Sequence, residues 1–262
     1  MKFAVSGKGG TGKTTVSGIL AHYFNNDGYQ VLAVDADPDA NLASAIGIPT
    51  EQAACIVPIS RQRRLIEEKT GAKPRQFGQL FKLNPAVSDI ADQYCLDFQG
   101  IKLLVMGGIQ KGGSGCACPE NVHLKSLLAE IILNRNEVVI VDMEAGIEHL
   151  GRATSREIDK MIITVEPGSR SIFTAKTIMK LAKDIGIESF GVVGNKILDE
   201  KQKSWISSQF PQDQILGMVS YNEIIREADL TQQPLIEVLD EKLKKEFKEI
   251  YQACRSIPPN SQ

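Results

Sequence analysis

Gly7, Lys8, Gly9, Gly10, Thr11, Gly12, Lys13, Thr14 and Thr15 form one unbroken stretch whose residue types and spacing suit polyphosphate chemistry. The stretch fits the phosphate-loop pattern G-x-x-x-x-G-K-S/T, with Gly7, Gly12, Lys13 and Thr14 in the fixed places. A loop whose amides converge on a polyphosphate needs backbone angles and a close approach that a Cβ would obstruct. The pattern places Lys13 to neutralise the β- and γ-phosphates of a nucleotide and the Thr14 hydroxyl to ligate Mg²⁺. Gly9, Gly10, Thr11, Gly12 and Thr15 complete the cradle. Lys8, directly after the first glycine, is a second lysine that the pattern does not require.

The flanks fit a loop of this kind. Residues 2–6 are a short apolar run that reads as a buried strand. Beyond the loop, Val16, Ile19, Leu20, Tyr23 and Phe24 recur at helical spacing up to a polar stop at Asn25, Asn26, Asp27 and Gly28. Strand, glycine loop and helix N-terminus together present the positive end of a helix dipole to phosphate.

Nucleotide hydrolysis also needs carboxylates to hold Mg²⁺ and position the attacking water. Two segments offer them: a strand at 31–35 leading into Asp35, Asp37 and Asp39, and an apolar strand at 138–142 that ends in Asp142. An unpaired buried charge is costly, so acids just past buried strand ends read as functional, and Asp37 and Asp142 are the candidates. A turn built on Asp-Pro explains either Asp35 or Asp39 without catalysis.

A second informative segment, 112–121, sets Cys116 and Cys118 one residue apart among glycines. Two such thiols can point at a common ion, act as a redox pair or pack as free thiols. As ligands, two are too few for a closed structural Zn²⁺ site, which takes four. His123 nearby is an accessory ligand or a helix-face residue, and His149 follows the Asp142 segment closely enough to move with nucleotide state. Cys55, Cys95 and Cys254 lack partner spacing and read as ordinary thiols.

Apolar strand-like runs at 3–6, 31–35, 102–106, 137–142, 161–165, 190–195 and 214–219 alternate with helical patterns such as 124–133, 172–185 and 201–209. This alternation predicts an α/β fold, a doubly wound and mostly parallel sheet covered by helices on both faces. No repeat or linker divides the 262 residues, so one domain is expected, with an insertion at about 49–100 that breaks the rhythm. The insertion falls at the carboxyl edge of the sheet and reads as a lid, a partner surface or a decoration. Leu239, Leu243, Phe247, Ile250, Tyr251 and Cys254 share one helical face that is expected to pack on the domain, because the opposite face is mixed in charge rather than basic.

Hydrophobic content of 42%, charged content of 24% and a net charge of −2 are those of a soluble globular chain and advertise no nucleic-acid partner. No apolar run approaches the ~18 residues of a membrane span, and no signal peptide precedes the first strand. A cytoplasmic location without membrane association is therefore expected, and five cysteines there suggest thiols or metal ligands rather than disulfides.

The loop, the Asp-x-Asp-Pro segment and Asp-Met-Glu-Ala-Gly at 142–146 resemble the deviant phosphate-loop ATPases of the MinD/ParA class. The resemblance implies that Lys8 reaches across a face-to-face homodimer to the partner's ATP phosphates, and that Asp37 orients the hydrolytic water. It further implies that Asp142 serves Mg²⁺ through water, that Asn195 reads adenine and that 220–222 flank the base. Together with the glycine-rich Cys-x-Cys-Pro-Glu-Asn segment, the whole chain is similar to nickel-insertion ATPases of the CooC type, which mature carbon monoxide dehydrogenase and have relatives serving acetyl-CoA synthase. A twofold dimer would supply Cys116 and Cys118 twice, making a Cys₄ site for Ni²⁺ or Zn²⁺ between subunits. The implied function is ATP-driven delivery of nickel to a client enzyme. The alternative is a MinD/ParA-like positioning ATPase, which has no need of the cysteine pair.

Overall fold

A computed structural model describes residues 1–73, 79–107, 119–144, 150, 152–231 and 233–256. On strand β1 (Lys2–Gly7), Phe3 and Val5 enter one hydrophobic layer and Ala4 enters the other, as the two-residue period of a strand requires. The same division runs through β2 (Val31–Asp35) and, past the short β3 (Leu96–Phe98), through β4 (Ile101–Val105), β5 (Val138–Asp142), β6 (Lys160–Val165), β7 (Phe190–Ile197) and β8 (Ile215–Ser220). They form an eight-stranded sheet in the order β3-β4-β2-β5-β1-β6-β7-β8. Every pairing is parallel except that of β3 with β4.

The helices are α1 (Lys13–Asn26), α2 (Leu42–Ile46), α3 (Thr50–Ala54), α4 (Arg63–Thr70), α5 (Ile90–Tyr94) and α6 (Pro119–Asn134) in the first half. Then come α7 (Arg152–Ser155), α8 (Ser169–Asp184), α9 (Glu200–Ser207), α10 (Glu223–Thr231), α11 (Leu235–Val238) and α12 (Glu241–Arg255). One face of the sheet is sealed by α1, α2 and α12 through Ile19, Phe24, Leu42, Leu243 and Phe247. The other is sealed by α6, α8 and α9 through Leu127, Ile131, Ile172, Ile178 and Ile206. With both faces covered, the central strands can be apolar throughout, and β5 is buried at every position. This is the expected doubly wound α/β architecture, in which ligands bind at the carboxyl ends of the strands.

All seven expected strands are present, with ends shifted by no more than a few residues. Edge strand β3 was not expected: three residues with one exposed side chain carry no periodic signal. It lies in the 49–100 stretch, along with α3, α4 and α5, and Ile59, Leu65, Val87 and Ile90 of that stretch join the layer that holds α6. The six apolar residues foreseen on the C-terminal face are all buried against the sheet, five of them on α12. Among the described residues, no helix is long and apolar enough to cross a membrane.

Candidate active site

The phosphate loop leaves the carboxyl end of central strand β1 and enters α1. Gly7 packs so tightly on β6 that a Cβ there would stand 2.5 Å from the Thr164 carbonyl oxygen. The loop is then pinned by Thr11, fully buried, whose hydroxyl donates to the Lys8 carbonyl at 2.8 Å and meets the Thr164 hydroxyl at 2.7 Å. Gly12 starts α1 with a left-handed φ of 91°. Among the described residues no side chain caps this helix, and no acid occupies its first turn, so its positive dipole end is turned to the loop. Gly9 and Gly10 are exposed at the loop tip, and Thr14 and Thr15 are half-buried at its base.

Below the loop stand the carboxylates. Asp142, fully buried, accepts the Thr14 hydroxyl at 2.7 Å and the Ser17 hydroxyl at 3.2 Å. Burial pushes its acid up to about 6, against the Thr14 and Ser17 hydrogen bonds and the charge of Lys13, which favour the ionised form. A hydroxyl and a carboxylate held together are hard oxygen ligands of the kind Mg²⁺ takes, and the pair fits that ion. Among the described residues, no group of three or more His, Cys, Asp or Glu side chains could hold a metal.

Lys13, buried, stands with Nζ 3.9 Å from the half-buried Asp37 carboxylate. Asp37 also accepts the Asp39 amide at 3.1 Å, so the Asx turn belongs to Asp37, while Asp39 itself is exposed. Asp35 has a different task. Fully buried, it accepts the amides of Asp37 at 3.2 Å and Leu42 at 2.9 Å, closing the loop that carries Asp37. Burial pushes its acid up to about 7.

Lys8, half-buried, forms an ion pair with Glu166 at 3.1 Å, just beyond β6. Asn195 is buried beneath the loop: its amide donates to the Thr11 carbonyl at 2.8 Å, and its own oxygen accepts the Lys196 amide at 2.9 Å. One end of the side chain thus holds the loop and the other holds the backbone of its own neighbour. Lys196, at a left-handed φ of 59°, places its ammonium 2.6 Å from the Gly10 carbonyl. A register shift of β7 against β8 between Gly194 and Ile197 turns these two residues toward the loop. Beside them a cavity of about 190 Å³ is lined by Glu166, Pro167, Lys196, Leu198 and Gln202.

The structure therefore brings Lys8, Lys13, Thr14, Asp37, Asp142 and Asn195 together around one loop. Cys116, Cys118 and His149 lie outside the described residues. His123 is not a surface residue: it is fully buried in the first turns of α6, neither ring nitrogen has a hydrogen-bond partner among the described residues, and burial pushes it down to about 4. Cys55 is exposed, whereas burial pushes the Cys95 and Cys254 thiols up to about 12. Sequence reasoning missed Ser17, Thr164, Glu166 and Lys196. Ser17 was findable, being one helical turn beyond Lys13 and Thr14 on the face turned to Asp142. Glu166 and Thr164 were findable only as neighbours two apart at a strand end.

Such a site can cradle a nucleotide triphosphate, hold a divalent cation at its inner phosphates and present a carboxylate to water. Comparisons with known proteins place the chain among nucleotide-binding domains. Residues 2–235 match the model of the CobQ/CobB/MinD/ParA nucleotide binding domain. The chain is 47% identical over 229 residues to the carbon monoxide dehydrogenase accessory protein CooC of Rhodospirillum rubrum, covering 87% of each chain. It is 44% identical over 254 residues to an uncharacterized ATP-binding protein of Methanocaldococcus jannaschii, covering 96% of each. The fold resembles the MinD cell division protein of Aquifex aeolicus with a TM-score of 0.68 at 19% identity, covering 98% of each chain.

Proposed function

The chain belongs to the CobQ/CobB/MinD/ParA nucleotide-binding family and is an ATPase, and from that premise we propose that it is a homodimer that delivers nickel to a client enzyme. The client is a nickel enzyme such as carbon monoxide dehydrogenase or acetyl-CoA synthase. The observation that carries this reading is the 47% identity to CooC across 87% of both chains. The chain acts as one phosphate-loop domain over residues 1–262, with an insertion at about 49–100, and works in the cytoplasm.

ATP binds with its phosphates against the amides of Gly9, Gly10, Thr11, Gly12, Lys13, Thr14 and Thr15. Lys13 neutralises the β- and γ-phosphates, and Asn195 faces adenine. Thr14 and, through water, Asp142 would hold Mg²⁺, which when bound draws charge from the phosphate oxygens. Asp37, held in place by Asp35, orients the water that attacks the γ-phosphate, and ADP and phosphate leave. Lys8 supplies its charge across the dimer, the task an arginine finger performs elsewhere. Closure then changes the separation of the two Cys116/Cys118 pairs, which hold Ni²⁺ (or Zn²⁺) as cargo between the subunits, and hydrolysis resets it.

Native mass and metal content of the nickel-loaded protein, with and without ATP, test this. One nickel per dimer is expected, with none in the Cys116→Ser/Cys118→Ser variant. Equal nickel uptake by that variant overturns the metal half. The likeness to MinD favours a second reading, a positioning ATPase, whose ATP turnover and dimerisation would be indifferent to nickel and to both cysteines.

A further inference from the structure

The ammonium of Lys8 is already occupied within its own chain. It pairs with Glu166 at 3.1 Å, and both partners spring from backbone that is fixed. On one side, Thr11 holds the Lys8 carbonyl through its hydroxyl and, at 3.3 Å, through its amide. On the other, the Glu166 amide donates to the hydroxyl of buried Ser171, in the first turn of α8, at 3.1 Å. Thr164 and Glu166 stand two residues apart as β6 ends, so their side chains leave on the same side. The first grips the loop through Thr11, and the second reaches the lysine.

We propose that Glu166 is a positioning residue for Lys8, holding it in cis in the nucleotide-free chain and so setting the ATP concentration at which the dimer forms. The inference rests on the reading of Lys8 as a cation given across the dimer. The Glu166 carboxylate and a partner's phosphate compete for the same ammonium charge, so dimer closure works against the ion pair. The side chains of Lys8 and Glu166 are 40% and 28% exposed, and a pair so placed is weak enough to be displaced by a triphosphate. Glu166 therefore acts as a threshold. Without it, Lys8 swings free and a lower ATP concentration suffices.

Sedimentation velocity across a titration of a non-hydrolysable ATP analogue with Mg²⁺ tests this on the full chain. Glu166→Gln should lower the midpoint for dimerisation by ~2–5-fold, the scale of a partly exposed ion pair, while plateau turnover moves less than the midpoint. Glu166→Asp keeps the charge and should return the midpoint toward that of the unaltered chain. An unchanged or raised midpoint in Glu166→Gln, with Lys8→Ala failing to dimerise, overturns the positioning role and leaves the trans lysine standing. A Lys8→Ala chain that dimerises normally overturns the underlying reading instead.

Discussion

Asp35 and Asp142 are register partners on adjacent parallel strands, two fully buried carboxylates side by side beneath the phosphate loop. Their work is divided by what each accepts. Asp35 takes backbone amides and builds the Asp37 loop, while Asp142 takes the hydroxyls of α1.

Asp35 makes stability depend on pH. Its folded acid lies at about 7 against an ordinary 3.8, so between those values the folded chain binds more protons than the unfolded one. The stabilisation is complete below 3.8 and is lost as pH rises through about 7. Calorimetry of the nucleotide-free chain should show this contribution growing from about pH 7.5 down to about pH 5.5. Asp35→Asn should flatten the trend, and a steeper trend in that variant would contradict the assignment.

His123 works in the opposite sense. Its folded value of about 4 lies below the ordinary 6.5, so its contribution is present above 6.5 and is lost as pH falls toward 4. Two buried ring nitrogens without partners among the described residues cost ~1–3 kcal/mol each, which an apolar replacement avoids. Urea unfolding should find His123→Leu as stable as the parent or more so at neutral pH, with a growing advantage in acid. Loss of stability at both pH values would mean that the imidazole packs in a way leucine cannot.

Asp142→Asn should separate stability from activity. The amide removes a buried charge yet can still accept from Thr14 or Ser17, so melting of the nucleotide-free variant near pH 8 should not fall. The Mg²⁺ concentration needed for half-maximal ATP turnover should rise by ~10–100-fold. A variant with unchanged Mg²⁺ dependence would remove Asp142 from the cation site.

Gly12→Ala should disable the loop for two separable reasons. The left-handed backbone costs an L-residue ~1–2 kcal/mol, and the added Cβ would clash with Asn195 Nδ2. Nucleotide binding, followed by calorimetric titration, should be lost in Gly12→Ala and only partly recovered in Gly12→Ala/Asn195→Ala. Full recovery would show the backbone angle to be unimportant.

The sheet was legible because its central strands bury both faces and read as apolar runs between helical patterns. The loop, Lys13, Thr14 and Asp142 were legible because phosphate and Mg²⁺ demand particular residue types at close sequence spacing. Glu166 and Lys196 were hidden: each acts on the loop from more than a hundred residues away, through a single ion pair or hydrogen bond that leaves no periodic trace. Asp35 was ambiguous for another reason. An acid that fixes a turn and an acid that does chemistry look alike until burial and backbone partners are seen. His123 showed its burial only when α6 was seen to pack beneath the insertion.

Strand β1 sits between β5 and β6 with a sealed hydrophobic layer on each side, and the phosphate loop is its direct continuation. Amides at the root of the loop can therefore exchange with solvent only through the largest opening motion of the fold. Edge strand β3, at the far margin of the sheet from β1, can fray without disturbing them. A nucleotide that grips the loop should accordingly slow deuterium uptake along β5, β1 and β6 as one block, a signature distinct from the tightening of a surface flap.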